Sequence, residues 1–360
     1  MPSGNIADWV MVEPFKLLEN VNILFQRRDF SIAIIGFGKM GLLHSALLNL
    51  LCKGSVRYIV DKSILVRLGG GFLFKNVEFL RDIENLVNLK EKLDAIYITT
   101  PPQTHFYIAR RLLEAGFKNI FLEKPPVINI QQYDELFDLA KGSNVMIGFQ
   151  KRFALPFHHA RLLLGIGALG ELKNVYISIK SGDVLERTNR FRNIGRGVLL
   201  DLGIHAIDLL CWLFNEEINV TFAKYKSAYS GVDDYFEATL IAKENTKIYF
   251  ETTWSDPEYR LPETSLKIIG TKGELHISED FLRAKLYKAC DDGKDCELAL
   301  YRPHYYRSFP PVLIADHEYT IENMHFLSTI ENHSKSYTSL EACRCVMTVL
   351  EDLYTRVKHG

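Results

Sequence analysis

The sequence predicts an α/β protein: an N-terminal doubly wound parallel sheet, followed by an α/β domain built on a large, mostly antiparallel open sheet. Three observations carry that prediction. Short apolar runs alternate with amphipathic stretches through residues 31–150, and parallel strands require helical crossovers of that length. A glycine-rich segment, Gly36-Phe37-Gly38-Lys39-Met40-Gly41, lies between the first apolar run and the first amphipathic stretch. Beyond Gly148, strand-like runs succeed one another with little helix between them, as in hairpin-linked antiparallel sheets.

In chain order, residues 31–35 form an apolar run that ends at glycine, the pattern of a strand buried on both faces. A helix is expected over residues 40–51, then a strand over 56–61 that ends in Asp61. Further strands are expected at 95–98, 119–122 and 145–148, separated by amphipathic helices at 83–92, 104–115 and 130–140. In the second part, helices near 156–164 and 197–214 flank one strand at 175–179. Strands then follow at 220–227, 236–242, 247–254, 265–269, 274–277 and 284–287, and two helices, 317–332 and 340–358, close the chain. This divides the chain into an N-terminal extension (1–30) with an amphipathic helix at 12–25, a parallel-sheet domain (31–150), an antiparallel-sheet domain (151–335) and a C-terminal helical segment (336–360). The last segment is expected to pack back on the parallel-sheet domain.

A length of 360 residues suits two domains rather than one. Lys and Arg number 43 against 44 Asp and Glu, so no cationic excess exists to neutralise phosphates and a nucleic-acid partner is not expected. At 47% hydrophobic and 24% charged residues the chain has the composition of a folded globular protein. No apolar run approaches the ~18 residues of a membrane span, and Asp8, Glu13 and Glu19 precede any long apolar stretch, which argues against a secretory signal. Of the six cysteines, Cys52 and Cys211 read as buried thiols. Cys343 and Cys345 point to different helix faces, and Cys290 and Cys296 bracket a turn across which they could meet. None has zinc-site spacing, so no metal is expected and the chain reads as a reduced cytoplasmic protein.

Three segments carry chemistry. The glycine-rich segment matches G-x-G-x-x-G in the strand–turn–helix context that a dinucleotide pyrophosphate requires. The first glycine makes the turn, the second admits the phosphates, and the third lets the helix pack on the sheet. Asp61, twenty positions beyond Gly41, is placed to accept ribose hydroxyls and to repel a 2′-phosphate, so NAD is the expected cofactor, with NADP possible. The second segment comprises two loops at the carboxyl ends of strands, where ligands of such sheets bind. One holds Thr100, Pro101, Pro102 and His105; the other holds Glu123 and Lys124. A crevice lysine can be brought toward neutral pKa by desolvation and charge. In the third segment Asp201, His205 and Asp208 follow at i, i+4 and i+7, one face of a helix and a pairing suited to proton transfer. A helical ion pair beside a core histidine is the alternative reading of that segment. Arg187, Arg190, Arg192 and Arg196 precede it within ten residues and read either as solvated or salt-bridged loop cations or as a clamp for an anionic substrate.

Taken together and in this order, these segments resemble the Gfo/Idh/MocA oxidoreductases, which include glucose–fructose oxidoreductase and inositol dehydrogenase. The markers are the glycine loop with Met40-Gly41, the Thr-Pro-Pro-x-x-His segment, Glu123-Lys124-Pro125, Gly148-Phe149-x-x-Arg152-Phe153, the Asp201/His205 helix and the terminal Ser339-Leu340-Glu341-Ala342 helix, from about Ser31 to Lys358. The resemblance implies a Rossmann domain, a second domain whose open sheet often makes a dimer, and a homo-oligomer of two or four chains. It implies hydride transfer between a nicotinamide cofactor and a secondary hydroxyl of a sugar, cyclitol or sugar nucleotide. Lys124, His205 and Asp201 become the proton-transfer candidates. Gly36, Phe37, Gly38, Lys39, Met40, Gly41, Asp61, Thr100, Pro101, Pro102, His105, Glu123 and Lys124 become the cofactor contacts. Arg152, Arg190, Arg192, Asp201 and His205 become the substrate contacts. Arg196 departs from the family's usual glycine run. Two other activities stay open within the resemblance: an NAD-dependent glycoside hydrolase and a non-catalytic dinucleotide sensor.

Overall fold

The computed structural model describes residues 29–74, 76–89, 92–183, 191–214, 218–242, 245–278, 281–290, 293–301 and 317–359. Arg187, Arg190 and the helix expected at 12–25 therefore lie outside the described residues. The chain divides into two units: one runs to Gln150 and takes in Tyr319–Cys343, the other comprises Lys151–Glu318 and Arg344–Gly360.

The first unit is built on six parallel strands: β1 (Ile32–Ile35), β2 (Val56–Val60), β3 (Glu78–Leu80), β4 (Ala95–Ile98), β5 (Asn119–Glu123) and β6 (Asn144–Gly148). Their order is β3-β2-β1-β4-β5-β6, a doubly wound sheet whose order reverses between β1 and β4. Every residue of β1 and β4 is buried, as expected of strands covered on both faces. The crossovers are α1 (Lys39–Leu51), α2 (Ile64–Leu73), α3 (Ile83–Val87), α4 (Pro102–Glu114) and α5 (Ile130–Leu139). Strand β3 and helix α2 were not expected from the sequence. The strand has only three residues, none of them buried, and the helix contains Gly69-Gly70-Gly71, which weakens any helical signal.

In the second unit nine strands form one sheet in the order β14-β13-β12-β11-β7-β10-β9-β8-β15, counting the two-residue β15 (Lys358–His359). The others are β7 (Leu172–Lys180), β8 (Asn219–Lys226), β9 (Tyr235–Ile241), β10 (Lys247–Thr253), β11 (Glu263–Gly270), β12 (Gly273–Ile277), β13 (Phe281–Leu286) and β14 (Cys296–Tyr301). All neighbours run antiparallel except β7 with β10 and β8 with β15. Burial alternates along β9 and β11, so one face of the sheet is apolar core and the other is open. Helices α6 (Leu155–Gly165) and α7 (Ile204–Phe214) supply the apolar cover, with ten of the eleven residues of α7 buried.

The two closing helices are α8 (His317–Asn332) and α9 (Arg344–Arg356), and they divide the other way round from expectation. Helix α9 belongs to the second unit, where Arg196 pairs with Glu351 and Cys211 bonds to Cys345. Residues 319–343 belong to the parallel-sheet unit: Ile147 N–H donates to Thr338, and Tyr133 Oη donates to the carbonyl of Leu340. Cys290 and Cys296 meet across their turn as expected, but the cysteines differ from expectation in being bonded and in the pairing of Cys211. Cys211 and Cys345 (Cα–Cα 6.1 Å) and Cys290 and Cys296 (Cα–Cα 5.3 Å) are disulfide-paired, leaving Cys52 and Cys343 as buried thiols among the described residues. Among the described residues no helix is long and apolar enough to cross a membrane, and no group of three or more His, Cys, Asp or Glu side chains could hold a metal ion.

Candidate active site

The glycine segment turns at the carboxyl end of β1. Gly36 has φ +90°, a conformation that side chains resist, and a Cβ there would lie 2.8 Å from Thr100 Cγ2. A Cβ on Gly41 would lie 2.1 Å from the carbonyl oxygen of Gly36, so α1 can approach the strand only with glycine at that position. Around Gly38 nothing lies within 4 Å of a built Cβ, which leaves open space over the turn. No side chain caps the start of α1 and no acid occupies its first turn, so its amides are presented to an incoming anion. Thr99 Oγ1 braces the turn from behind by donating to the carbonyl of Gly36 at 2.6 Å. Asp61 directly follows β2 with its carboxylate turned to the same loop: Oδ2 accepts Phe37 N–H and Oδ1 accepts Ser63 N–H, each at 2.8 Å. Each oxygen keeps a lone pair for a diol. These features fit a dinucleotide.

The two loops at the ends of β4 and β5 are joined by His105. Its ring is fully buried on α4, with Nδ1 2.7 Å from the carbonyl oxygen of Pro125 and Nε2 2.7 Å from that of Thr100. Burial lowers its pKa, the two carbonyls pull the other way, and the charge of Lys124 lowers it further. His105 was expected to border the cofactor; both of its nitrogens are instead turned to backbone carbonyls. Pro101 and Pro102 open α4, where the missing N–H costs nothing.

Glu123, also expected as a cofactor contact, is buried, with Oε2 accepting the N–H of Lys124 at 3.1 Å and Oε1 lying 2.9 Å from His44 Nε2. The structure thus brings Thr100, His105, Glu123 and Lys124 together in the parallel-sheet unit.

In the second unit the Asp201/His205 segment is not a plain α-helix. Leu199–Gly203 forms a π-helical turn that leads into α7, and such insertions recur at functional sites. The i, i+4 register assumed from the sequence is therefore interrupted between Asp201 and His205, although both are buried at 5% exposure. Gly203 allows the tight passage, since a Cβ there would lie 3.0–3.1 Å from Leu199, Phe250 and Thr252. Asp233 holds the start of this segment: its carboxylate accepts Gly197 N–H at 2.6 Å and Leu199 N–H at 2.8 Å. Burial raises its pKa to about 6 against these two donors. Sequence reasoning missed Asp233, which lies more than thirty positions from the amides it serves.

Arg152 was expected to meet substrate. Its guanidinium is instead buried and bidentate on Asp208, Nη2 to Oδ1 2.6 Å. Burial raises Asp208 to about 6, with Arg152 opposing. Of the arginine cluster, Arg192 is exposed and donates to the carbonyl of Ser230 at 3.0 Å. Arg196 is bidentate on Glu351 (2.7 and 2.8 Å) and lies 4.5 Å over the ring of Tyr354. The anion-clamp expectation is thereby corrected for Arg196, whose charge is matched within its own unit.

Residues 30–150 match the oxidoreductase family with an NAD-binding Rossmann fold, and residues 157–276 match the Gfo/Idh/MocA C-terminal domain. The chain belongs to the Gfo/Idh/MocA family of oxidoreductases. Similar curated proteins include the oxidoreductase P35 of Formosa agariphila (30% identity over 45% of this chain and 53% of that protein) and the myo-inositol 2-dehydrogenase of Thermotoga maritima (24% over 53% and 57%). The chain spans about half the length of the curated relatives it matches. Among solved structures, an oxidoreductase domain protein from Kribbella flavida superposes with TM-score 0.79 at 18% identity over 92% of this chain and 97% of that one. A levoglucosan dehydrogenase in complex with NADH and L-sorbose gives the same TM-score, identity and coverage. At such identities the likeness extends to the fold of this Gfo/Idh/MocA chain.

Proposed function

We propose that the protein is an NAD-dependent dehydrogenase that exchanges a hydride with a secondary hydroxyl or ketone of a sugar, cyclitol or sugar nucleotide. The observation that carries this reading is the cofactor cradle: an open turn at Gly38, an uncapped helix start, and the Asp61 carboxylate at the end of the next strand. When bound, the nicotinamide supplies the hydride acceptor or donor. Gly36, Phe37, Gly38, Lys39, Met40 and Gly41 hold the pyrophosphate, Asp61 the ribose, and Thr100, Pro101 and Pro102 flank the nicotinamide end. Lys124, His205 and Asp201 are the candidates for proton transfer on the substrate hydroxyl. Arg192 remains a candidate substrate contact, while His105, Glu123 and Arg152 shape the loops that bear these groups.

The relatives named above, one acting on myo-inositol and one crystallised with L-sorbose, support a polyol substrate. A dimer through the open face of the second sheet belongs to the same reading. Tyr176 and Tyr249 stack there at 4.9 Å and are 42% and 39% exposed, beside Phe222 at 40%. A cytoplasmic location is part of the proposal as well, and both disulfide pairs would then be held as thiols. A panel of sugars, cyclitols and sugar nucleotides, assayed for NADH absorbance with NADP+ in parallel, tests the activity. Absence of reduction across the panel, with NADH binding intact, would remove the dehydrogenase reading.

A further inference from the structure

His44 lies on α1, three residues beyond the last glycine of the loop, and its side chain is fully buried. It is packed among aromatic rings, with centroids of Phe121 at 4.9 Å, Tyr97 at 5.5 Å and Tyr319 at 6.2 Å. Its two nitrogens are both used. Nε2 lies 2.9 Å from Glu123 Oε1, and Nδ1 lies 3.0–3.1 Å from the carboxamide of Asn323 on α8. Asn323 is oriented in turn because its Nδ2 donates to the carbonyl of Tyr319 at 2.7 Å. The network is satisfied when His44 carries its proton on Nε2 and accepts an Asn323 N–H at Nδ1.

The other Glu123 oxygen, Oε2, accepts the backbone N–H of Lys124. Gly148, at the end of β6, leaves room for this carboxylate; a Cβ there would lie 3.2 Å from Oε2. A buried carboxylate costs stability unless its oxygens are hydrogen-bonded. Here each oxygen has a named donor, one from α1 and one from the loop that bears Lys124.

We infer that His44, seated by Asn323, is a positioning residue that fixes the Glu123 carboxylate and through it the backbone at Lys124. The inference rests on the reading of Lys124 as a proton-transfer group only for its functional weight; the coupling itself is a property of the free protein. It also gives the Glu of the Glu-Lys-Pro element a task other than touching cofactor.

The test observes the Lys124 amide directly. Protein labelled with 15N-lysine is recorded by 1H–15N correlation, and the Lys124 peak is assigned by its loss in Lys124→Arg. His44→Phe keeps the aromatic packing and removes both hydrogen bonds. The Lys124 amide should then leave its wild-type position and exchange about 10–100-fold faster, the equivalent of losing one hydrogen bond to a charged acceptor. His44→Gln, which can still donate to Glu123, should restore most of the shift. An unmoved Lys124 amide in folded His44→Phe overturns the inference and leaves His44 a packing residue. If His44→Phe does not fold, Glu123→Gln decides in its place, and an unmoved amide there overturns the coupling equally. No substrate is needed, so a wrong reaction assignment would show as normal turnover in Lys124→Ala while the amide coupling stood. Should the assignment hold, His44→Phe lowers kcat with little change in KM for NAD+, and His44→Gln recovers it.

Discussion

The carboxylate of Asp61 accepts the backbone N–H of Phe37 at 2.8 Å, linking the end of β2 to the glycine turn twenty-four positions earlier. The hydrogen bond places a negative charge beside the loop proposed to hold the pyrophosphate. The neighbouring Arg67 donates from Nη1 to the carbonyls of Asp61 and Lys62 at 2.8 Å each, and its positive charge reduces that effect without cancelling it. NAD+ should therefore exceed NADP+ in kcat/KM, since a 2′-phosphate would meet like charge. Asp61→Ser should narrow the gap; a wild-type preference for NADP+ would contradict the assignment.

Gly38 and Gly41 should respond differently to alanine. Gly41→Ala forces a methyl against the Gly36 carbonyl and should lower both the thermal midpoint and NADH affinity. Gly38→Ala meets open space and should leave the midpoint within a degree or two while weakening NADH binding. Calorimetric unfolding and NADH fluorescence titration read the two quantities separately. Unchanged NADH binding in Gly38→Ala would place the dinucleotide elsewhere.

Lys124→Ala and His205→Ala should each lower kcat by about 10²–10⁴, the usual effect of losing a positioned acid or base. The dissociation constant for NADH should change far less in His205→Ala. Near-normal turnover of both variants on a substrate found by the panel would show that neither group transfers the proton.

Arg196→Ala should lower stability by about 1–2 kcal/mol, from the partly buried ion pair with Glu351 and the contact over Tyr354. Glu351→Gln should lose less, and the double variant should fall short of the sum. KM for an anionic substrate should not move in Arg196→Ala. A rise there would restore the clamp that the Glu351 pair argues against.

Asp233 and Asp208 are carboxylates whose folded pKa values, about 6, lie above the ordinary 3.8. The folded state then holds their protons more tightly than the unfolded state does. Each contributes stability that is fully present below pH 3.8 and is lost as pH rises through about 6. Relative to Asp233→Asn, which does not titrate, wild type should lose up to about 3 kcal/mol between pH 4 and 7. Urea unfolding at both pH values measures the difference, and a pH-independent gap would show that Asp233 does not titrate in this range.

The parallel sheet was largely legible because buried strands announce themselves as apolar runs: β1, β2, β4, β5 and β6 fall where 31–35, 56–61, 95–98, 119–122 and 145–148 predict them. The antiparallel strands were legible from turns between β-rich runs, except β14, which follows a charged hairpin and whose six residues mix Cys, Glu and Tyr with aliphatics. The candidate site was legible where its logic is local, in the glycine turn and Asp61. It was illegible where partners are remote: Asn323 meets His44 across 279 positions, and Glu351 meets Arg196 across 155. The π-helical turn at Leu199–Gly203 also left no trace in periodicity, because it depends on Asp233 and on the close packing of Gly203 rather than on the run of apolar residues.

Helix α8 and the segment that follows it return to a sheet whose strands were all laid down before Gln150. A ribosome therefore releases the whole parallel sheet long before Asn323 and Thr338 exist to complete it. During that interval, spanning the synthesis of about 170 residues at ~5–20 per second, His44 and β6 wait with donors and acceptors unfilled. The nascent dinucleotide-binding half is thus a candidate client for chaperones, and an expression fragment ending at Gln150 would be the same unfinished object made permanent.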